Sequence, residues 1–71
     1  MGAEELCNRL KVLRAEHGMT QADLAQAAGV SRKTINTIEN RVFVPSTILA
    51  LRLAAALECR VEDLFALEDD T

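Results

Sequence analysis

The segment Gln21–Asn40, QADLAQAAGVSRKTINTIEN, restricts the possible folds of this chain more than any other stretch. Leu24, Ala25 and Ala28 fall on one face of a helix, while Val30, Ile35 and Ile38 line the inward side of the next segment. Gly29 stands between the two sets. A glycine there supplies the positive φ that ends one helix and turns the chain sharply. The small Ala25 lets a second helix approach the first closely, and Ser31 is a good N-cap for that second helix. The outward faces carry Gln21, Arg32, Lys33, Thr34, Asn36, Thr37 and Asn40, all polar. A plain helical hairpin could also be polar outside. It has no need, however, of a small residue, a glycine and paired apolar anchors at these offsets together. A helix that must protrude from the body and enter a nucleic-acid groove does need them.

The remaining segments read as three more helices around that pair. Leu6, Leu10 and Leu13 recur at helical spacing, so a first helix is expected over Ala3–Glu16, stopped by Gly18. Thr20 with Asp23 forms a capping box for the helix Gln21–Ala28, and the next helix reaches about Asn40. The only proline, Pro45, interrupts regular structure, and Ser46 caps a fourth helix over Thr47–Leu57. A short fifth helix runs from Val61 to about Phe65. The expectation is an all-α, five-helix single domain covering residues 1–71, ordered over about 3–67, with the helix-turn-helix formed by the second and third helices.

At 71 residues, with 49% apolar residues, the chain has material for one small core. Its fourth helix and the run Val42–Phe43–Val44 hold more apolar surface than that core requires. A homodimer interface built from Leu57, Cys59, Val61, Leu64, Phe65 and Leu67 would shelter the excess.

The net charge of −3 is unevenly distributed. Residues 1–45 hold six Lys/Arg against five Asp/Glu, a balance of +1, and residues 46–71 hold two against six, a balance of −4. Within residues 31–45 the balance is +2, three basic against one acidic. The acidic total disfavours strong non-specific binding to nucleic acid, while the local positive charge lies on the helix with the polar outer face.

Catalysis finds no support. His17 is the only histidine and sits where a helix ends, a favourable place for a cation near the negative end of the dipole. No carboxylate pair, nucleophile–base pair or phosphate-cradling glycine loop is present, and no cofactor, metal or small-molecule ligand is expected. Cys7 and Cys59 lack CxxC spacing and read as reduced thiols, with Cys59 the candidate for thiol regulation because it lies near the proposed dimer surface. No apolar run approaches the ~18 residues of a membrane span, and no leader pattern opens the chain. A soluble, cytoplasmic, nucleoid-associated protein is expected.

Taken together, LKVLRAEHGMTQADLAQAAGVSRKTINTIEN, VPSTILALRLAAAL and VEDLF resemble the Cro/C1 type of helix-turn-helix found in phage repressors and the xenobiotic-response-element regulators of prokaryotes. The resemblance spans Leu10 to Phe65. It implies a domain that binds double-stranded operator DNA as a two-fold dimer with the third helix in the major groove. Carried over by position, Arg32, Lys33, Thr34, Asn36 and Thr37 are the base-reading candidates. Gln21, Asn40, Arg14 and Arg41 are the phosphate-contacting candidates, and Arg14 with Glu39 forms an intradomain ion pair. The function implied is sequence-specific transcriptional regulation, as a repressor of a near-palindromic operator. An antitoxin-like interaction module using the same fold is the alternative. Three positions depart from the family pattern. Arg41 stands where glycine is common, which leaves Asn40 as the residue expected to carry positive φ. Glu58 replaces a frequent glycine, and Arg60 replaces the usual Ser or Thr cap.

Overall fold

The computed structural model describes residues 6–67. In chain order these form β1 (Leu6–Asn8), α1 (Leu10–Glu16), α2 (Gln21–Ala28), α3 (Arg32–Glu39), α4 (Thr47–Ala56), α5 (Val61–Leu64) and β2 (Phe65–Leu67). Five helices are present, as the pattern predicts, together with a two-stranded ribbon that it does not.

β1 pairs antiparallel with β2, with Leu6 opposite Leu67, Cys7 opposite Ala66 and Asn8 opposite Phe65. The helix expected over Ala3–Glu16 therefore begins only at Leu10, and residues 3–5 of that expectation lie outside the described residues. Asn8 decides the boundary. Its carboxamide oxygen accepts the Leu10 N–H at 2.9 Å, and its amide donates to the Ile38 carbonyl at 2.7 Å. A side chain that caps from this position ends the helix there rather than continuing it.

The other helix starts reflect local chemistry. Thr20 Oγ1 accepts the Asp23 N–H and Asp23 Oδ2 accepts the Thr20 N–H, each at 3.0 Å. Ser31 Oγ accepts from Thr34 at 3.2 Å and Ser46 Oγ from Leu49 at 3.1 Å. Such caps are each worth about 1 kcal/mol. At α5, where Arg60 has no hydroxyl to accept a first-turn N–H, the Asp63 carboxylate accepts the Arg60 N–H at 3.0 Å, the other half of a capping box.

Gly29 adopts φ 77° between α2 and α3, the left-handed conformation that a glycine tolerates without strain. After α3 the positive φ is carried by Arg41 itself, at 63°, while Asn40 stays at −90°. The expectation for Asn40 is thus off by one residue. The Arg41 N–H reaches the Ile38 carbonyl and the Val42 N–H the Thr37 carbonyl, and those two bonds compel the turn at Arg41. Glu58 takes the same conformation after α4, with φ 54°.

Leu10, Leu24, Ile35, Ile38, Leu53, Leu57 and Leu64 form the centre of the core, each nearly inaccessible. Burying a side chain of this size contributes roughly 1.5–3 kcal/mol. Leu57 and Leu64, expected at a dimer surface, are core residues at 1% exposure and have no surface left for a second copy. Helical periodicity marks them as apolar without showing which side of the chain they face. Cys59, Val61 and Phe65 are half-buried, and Leu67 is exposed. Both cysteines are free.

Candidate nucleic-acid interface

α3 is held from below by one carboxylate. Glu39 Oε2 accepts Arg14 Nε at 2.6 Å, and Glu39 Oε1 accepts Arg14 Nη2 at 3.3 Å and Gln21 Nε2 at 3.0 Å. The remaining arm of Arg14, Nη1, donates to the Met19 carbonyl at 2.8 Å. Glu39 thereby links α1, α2 and α3 at one point. The side chains of Arg14 and Glu39 are only 14% and 3% exposed, so this forked, charge-assisted pair is shielded from water.

A second set of bonds runs along the outer side of α3. Asn36 Oδ1 accepts from Gln21 Nε2 and from Asn40 Nδ2, both at 3.3 Å. Thr37 Oγ1 donates to the Thr34 carbonyl at 2.9 Å, and the hydroxyls of Ser31 and Thr34 lie 3.0 Å apart.

These bonds determine what each group can still offer a ligand. The Gln21 amide gives its hydrogens to Glu39 and Asn36, so its side chain is a brace, and its backbone N–H at the first turn of α2 remains as a donor. With its oxygen accepting twice, Asn36 presents Nδ2 as a donor. Thr37 has committed its hydroxyl hydrogen and can only accept. Arg32 and Lys33 sit exposed in the first turn of α3, and Asn40 and Arg41 are exposed at its far end. Among the described residues the side chains of Arg32, Lys33 and Arg41 have no hydrogen-bond partner and Asn40 has given one amide hydrogen to Asn36, so donors remain at both ends of a helix whose base is locked.

Among the described residues no group of His, Cys, Asp and Glu could hold a metal ion, and no helix is long and apolar enough to cross a membrane.

The sequence and the fold both match known proteins. A family model described as the Cro/C1-type helix-turn-helix DNA-binding domain matches residues 9–70. The chain belongs to that family. A helix-turn-helix transcriptional regulator of Methanocaldococcus jannaschii is 48% identical, covering 89% of this chain and 96% of that protein. One from Bacillus subtilis is 41% identical over the same shares. The antitoxin HipB of Escherichia coli is 32% identical, covering 76% of this chain and 57% of that protein. The crystal structure of the restriction-modification controller protein C.AhdI from Aeromonas hydrophila superposes with a TM-score of 0.77 at 33% identity, covering 80% of this chain and 86% of that one. As a member of the Cro/C1-type family the protein is a DNA-binding transcriptional regulator, and the family is not one of enzymes.

Sequence reasoning misses how three features are placed around α3. Asn8 ties β1 to the end of α3, and its signal is a strong capping residue inside an apparent helix. The Met19 carbonyl holds the third arm of Arg14 and leaves no mark on the sequence, because any residue supplies a carbonyl. Val42 and Phe43 stand out in the sequence as surplus apolar residues, but their place beside α3 depends on the turn at Arg41.

Proposed function

We propose that this protein is a sequence-specific repressor that binds a near-palindromic operator as a homodimer, with α3 in the major groove. The observation that carries this reading is the contrast between the locked underside of α3 and the free donors on its outer side. Arg32 offers two parallel N–H groups to guanine O6 and N7, a contact worth roughly 1–3 kcal/mol of discrimination. Lys33, Thr34, Asn36 and Thr37 complete the base-facing set. Thr37 is restricted to accepting, from cytosine N4 or adenine N6, or to packing its methyl. Asn40, Arg41 and the first-turn amides of α2, Gln21 included, lie at the flanks and hold phosphates, which fixes orientation rather than sequence. Arg14 acts mainly from beneath, because all three of its nitrogens are engaged within the chain.

The second copy finds apolar surface on one side. Val44, Ile48, Leu51 and Leu67 are all more than half exposed. Beside them Leu6, Val44, Pro45, Leu51, Val61 and Phe65 line an apolar groove of about 320 Å³. Of the interface residues expected from sequence, Cys59, Val61, Phe65 and Leu67 remain available. The interface extends toward the start of α4 rather than its end. Two recognition helices then face half-sites about 34 Å apart, one turn of DNA, in the cytoplasm where the nucleoid lies.

Selection of bound sequences from a random DNA pool tests the reading. A two-fold symmetric consensus is expected, and Arg32→Ala should relax one base step per half-site. Equal weakening on all sequences would make Arg32 a phosphate contact. The antitoxin-like alternative, supported by the weaker similarity to HipB, predicts partner binding that survives loss of Arg32, Lys33 and Thr37. Sedimentation as a monomer at high micromolar concentration in reducing buffer would remove the dimer.

A further inference from the structure

The connection after α3 presents apolar surface that neither the core nor the polar ridge uses. Val42 is 77% exposed and Phe43 45% exposed. With Ser31, Lys33, Thr34 and Thr37 they line a groove of about 350 Å³. Its other four residues thus belong to α3 and its cap, so it continues the face proposed to meet bases.

The groove is rigid where it matters. The N–H groups of Val42 and Phe43 both donate to the Thr37 carbonyl, at 2.9 and 3.2 Å, immediately after the left-handed turn at Arg41. The Phe43 backbone is pinned at the level of Thr37 and does not ride on a loose loop. The hydroxyls lining the groove are engaged locally, Thr37 with the Thr34 carbonyl and Thr34 with Ser31. What remains for a ligand is a ring, the methyls of Val42, Thr34 and Thr37, and the alkyl stem of Lys33 with its charge.

That chemistry suits one occupant. The major groove of DNA presents a single apolar protrusion, the C5-methyl of thymine, surrounded by polar base edges and flanked by phosphates. An apolar pocket rimmed by a lysine, within a stretch of residues 31–45 whose charge balance is +2, complements a methyl set in an anionic surface. We propose that Phe43, with Val42, Thr34 and Thr37, receives a thymine C5-methyl in each half-site and is a specificity-determining residue. The proposal rests on the reading that α3 lies in the major groove.

The test uses the full chain and a duplex selected from the random pool, with each thymine replaced in turn by deoxyuridine, which removes only the methyl. Affinities are measured by fluorescence anisotropy at one fixed salt concentration. The expected result is one thymine per half-site whose methyl is worth roughly fourfold in wild-type affinity, the value of one buried CH₂ group. At that position Phe43→Ala should bind the thymine and deoxyuridine duplexes within twofold of each other, while Phe43→Leu keeps part of the difference. Thermal melts establish that each variant is folded at the assay temperature, and Val42→Ser serves as a second probe should Phe43→Ala fail to fold. A selected half-site without such a thymine overturns the proposal and leaves DNA binding intact. So does a methyl effect that is unchanged in the variants. Reduced self-association of Phe43→Leu or Val42→Ser with no change in the methyl effect also overturns it, by giving the groove to a second copy. Wild-type protein that selects no sequence at all would remove the functional reading beneath the proposal, and the proposal with it.

Discussion

The pair Arg14–Glu39 lets the bracing of α3 be tested by energy alone. Truncating one partner of a fully buried ion pair costs about 3–5 kcal/mol, mostly because the other charge is left without compensation. The two partners here differ in shielding. Glu39→Gln leaves a guanidinium that is 14% exposed and still bonded to the Met19 carbonyl, and it leaves Gln21 an acceptor. Its cost should fall at or below the lower end of that range, about 2–3 kcal/mol. Arg14→Met strands a carboxylate that is 3% exposed, with only the Gln21 amide to satisfy it. That should cost about 3–4 kcal/mol. A domain of this size has a total stability of only about 4–10 kcal/mol. With a shift of about 4–8 °C per kcal/mol, Glu39→Gln should lower Tm by roughly 10–20 °C, and Arg14→Met by more. Thermal and urea unfolding of the two single variants and the double variant completes a cycle. The double variant should lose clearly less than the sum of the singles, because it never leaves a lone charge inside. Additivity to within about 0.5 kcal/mol, or a smaller loss for Arg14→Met than for Glu39→Gln, would refute the argument.

Three further outcomes are set by the backbone and the titrating groups. Arg41→Gly and Glu58→Gly should each stabilise the fold by roughly 0.5–1 kcal/mol, because a left-handed non-glycine residue is strained and the gain exceeds the added freedom of the unfolded chain. Only Arg41→Gly should also reduce the slope of log affinity against log salt, by about 0.9 for each phosphate that is no longer neutralised. The Thr20 N–H, and after it the Thr20 hydroxyl, hold the Asp23 carboxyl below its ordinary value, and the Arg60 N–H chiefly does the same for Asp63. Both therefore contribute stability that is full above the unfolded carboxylate value of about 3.9 and is lost as pH falls through their lower folded values. Melts from pH 6 to 2 should show a shallower acid limb when both are changed to Asn. Burial, and secondarily the negative charge of Asp63, pushes the Cys59 thiol up, so it stays protonated at neutral pH. Iodoacetamide should modify it more slowly than an unstructured cysteine peptide at pH 8; equal rates would restore it as a candidate for redox control.

What the sequence made legible has a common physical character. The caps at Thr20, Ser31 and Ser46 and the turn at Gly29 each depend on contacts among residues close along the chain, so composition and spacing were sufficient. The ribbon was not legible, because Leu6–Asn8 pair with residues at the opposite end of the chain, while Leu6, Leu10 and Leu13 keep helical spacing by coincidence. A three-residue strand leaves too short an alternation to compete with that pattern. The direction of side chains was hidden for a different reason. Leu57 and Leu51 are both apolar residues of the α4 region, but one is buried and the other is more than half exposed, and only the positions of the neighbouring elements distinguish them.

The same distinction applies to the DNA-facing residues. Residue type placed Gln21, Asn36 and Thr37 on the outer face, but what they can do depends on bonds between α2 and α3 that no spacing predicts. With its amide hydrogens given to Glu39 and Asn36, Gln21 cannot also donate them to a phosphate, and Asn36 cannot use its carboxamide oxygen on adenine without breaking the bonds that orient it. On the proposed reading, specificity therefore rests most on side chains with no bond to another described residue, Arg32 and Lys33 at the start of α3, and on the apolar corner at Phe43, with Thr34, Asn36 and Thr37 contributing what their bonds leave open. The ordered middle of the helix holds them at fixed separation. A helix whose central polar groups are already satisfied loses less on leaving water and has fewer side chains to order on binding. On the proposed reading, a small acidic domain thus binds selectively without the broad positive surface that would hold it to any DNA.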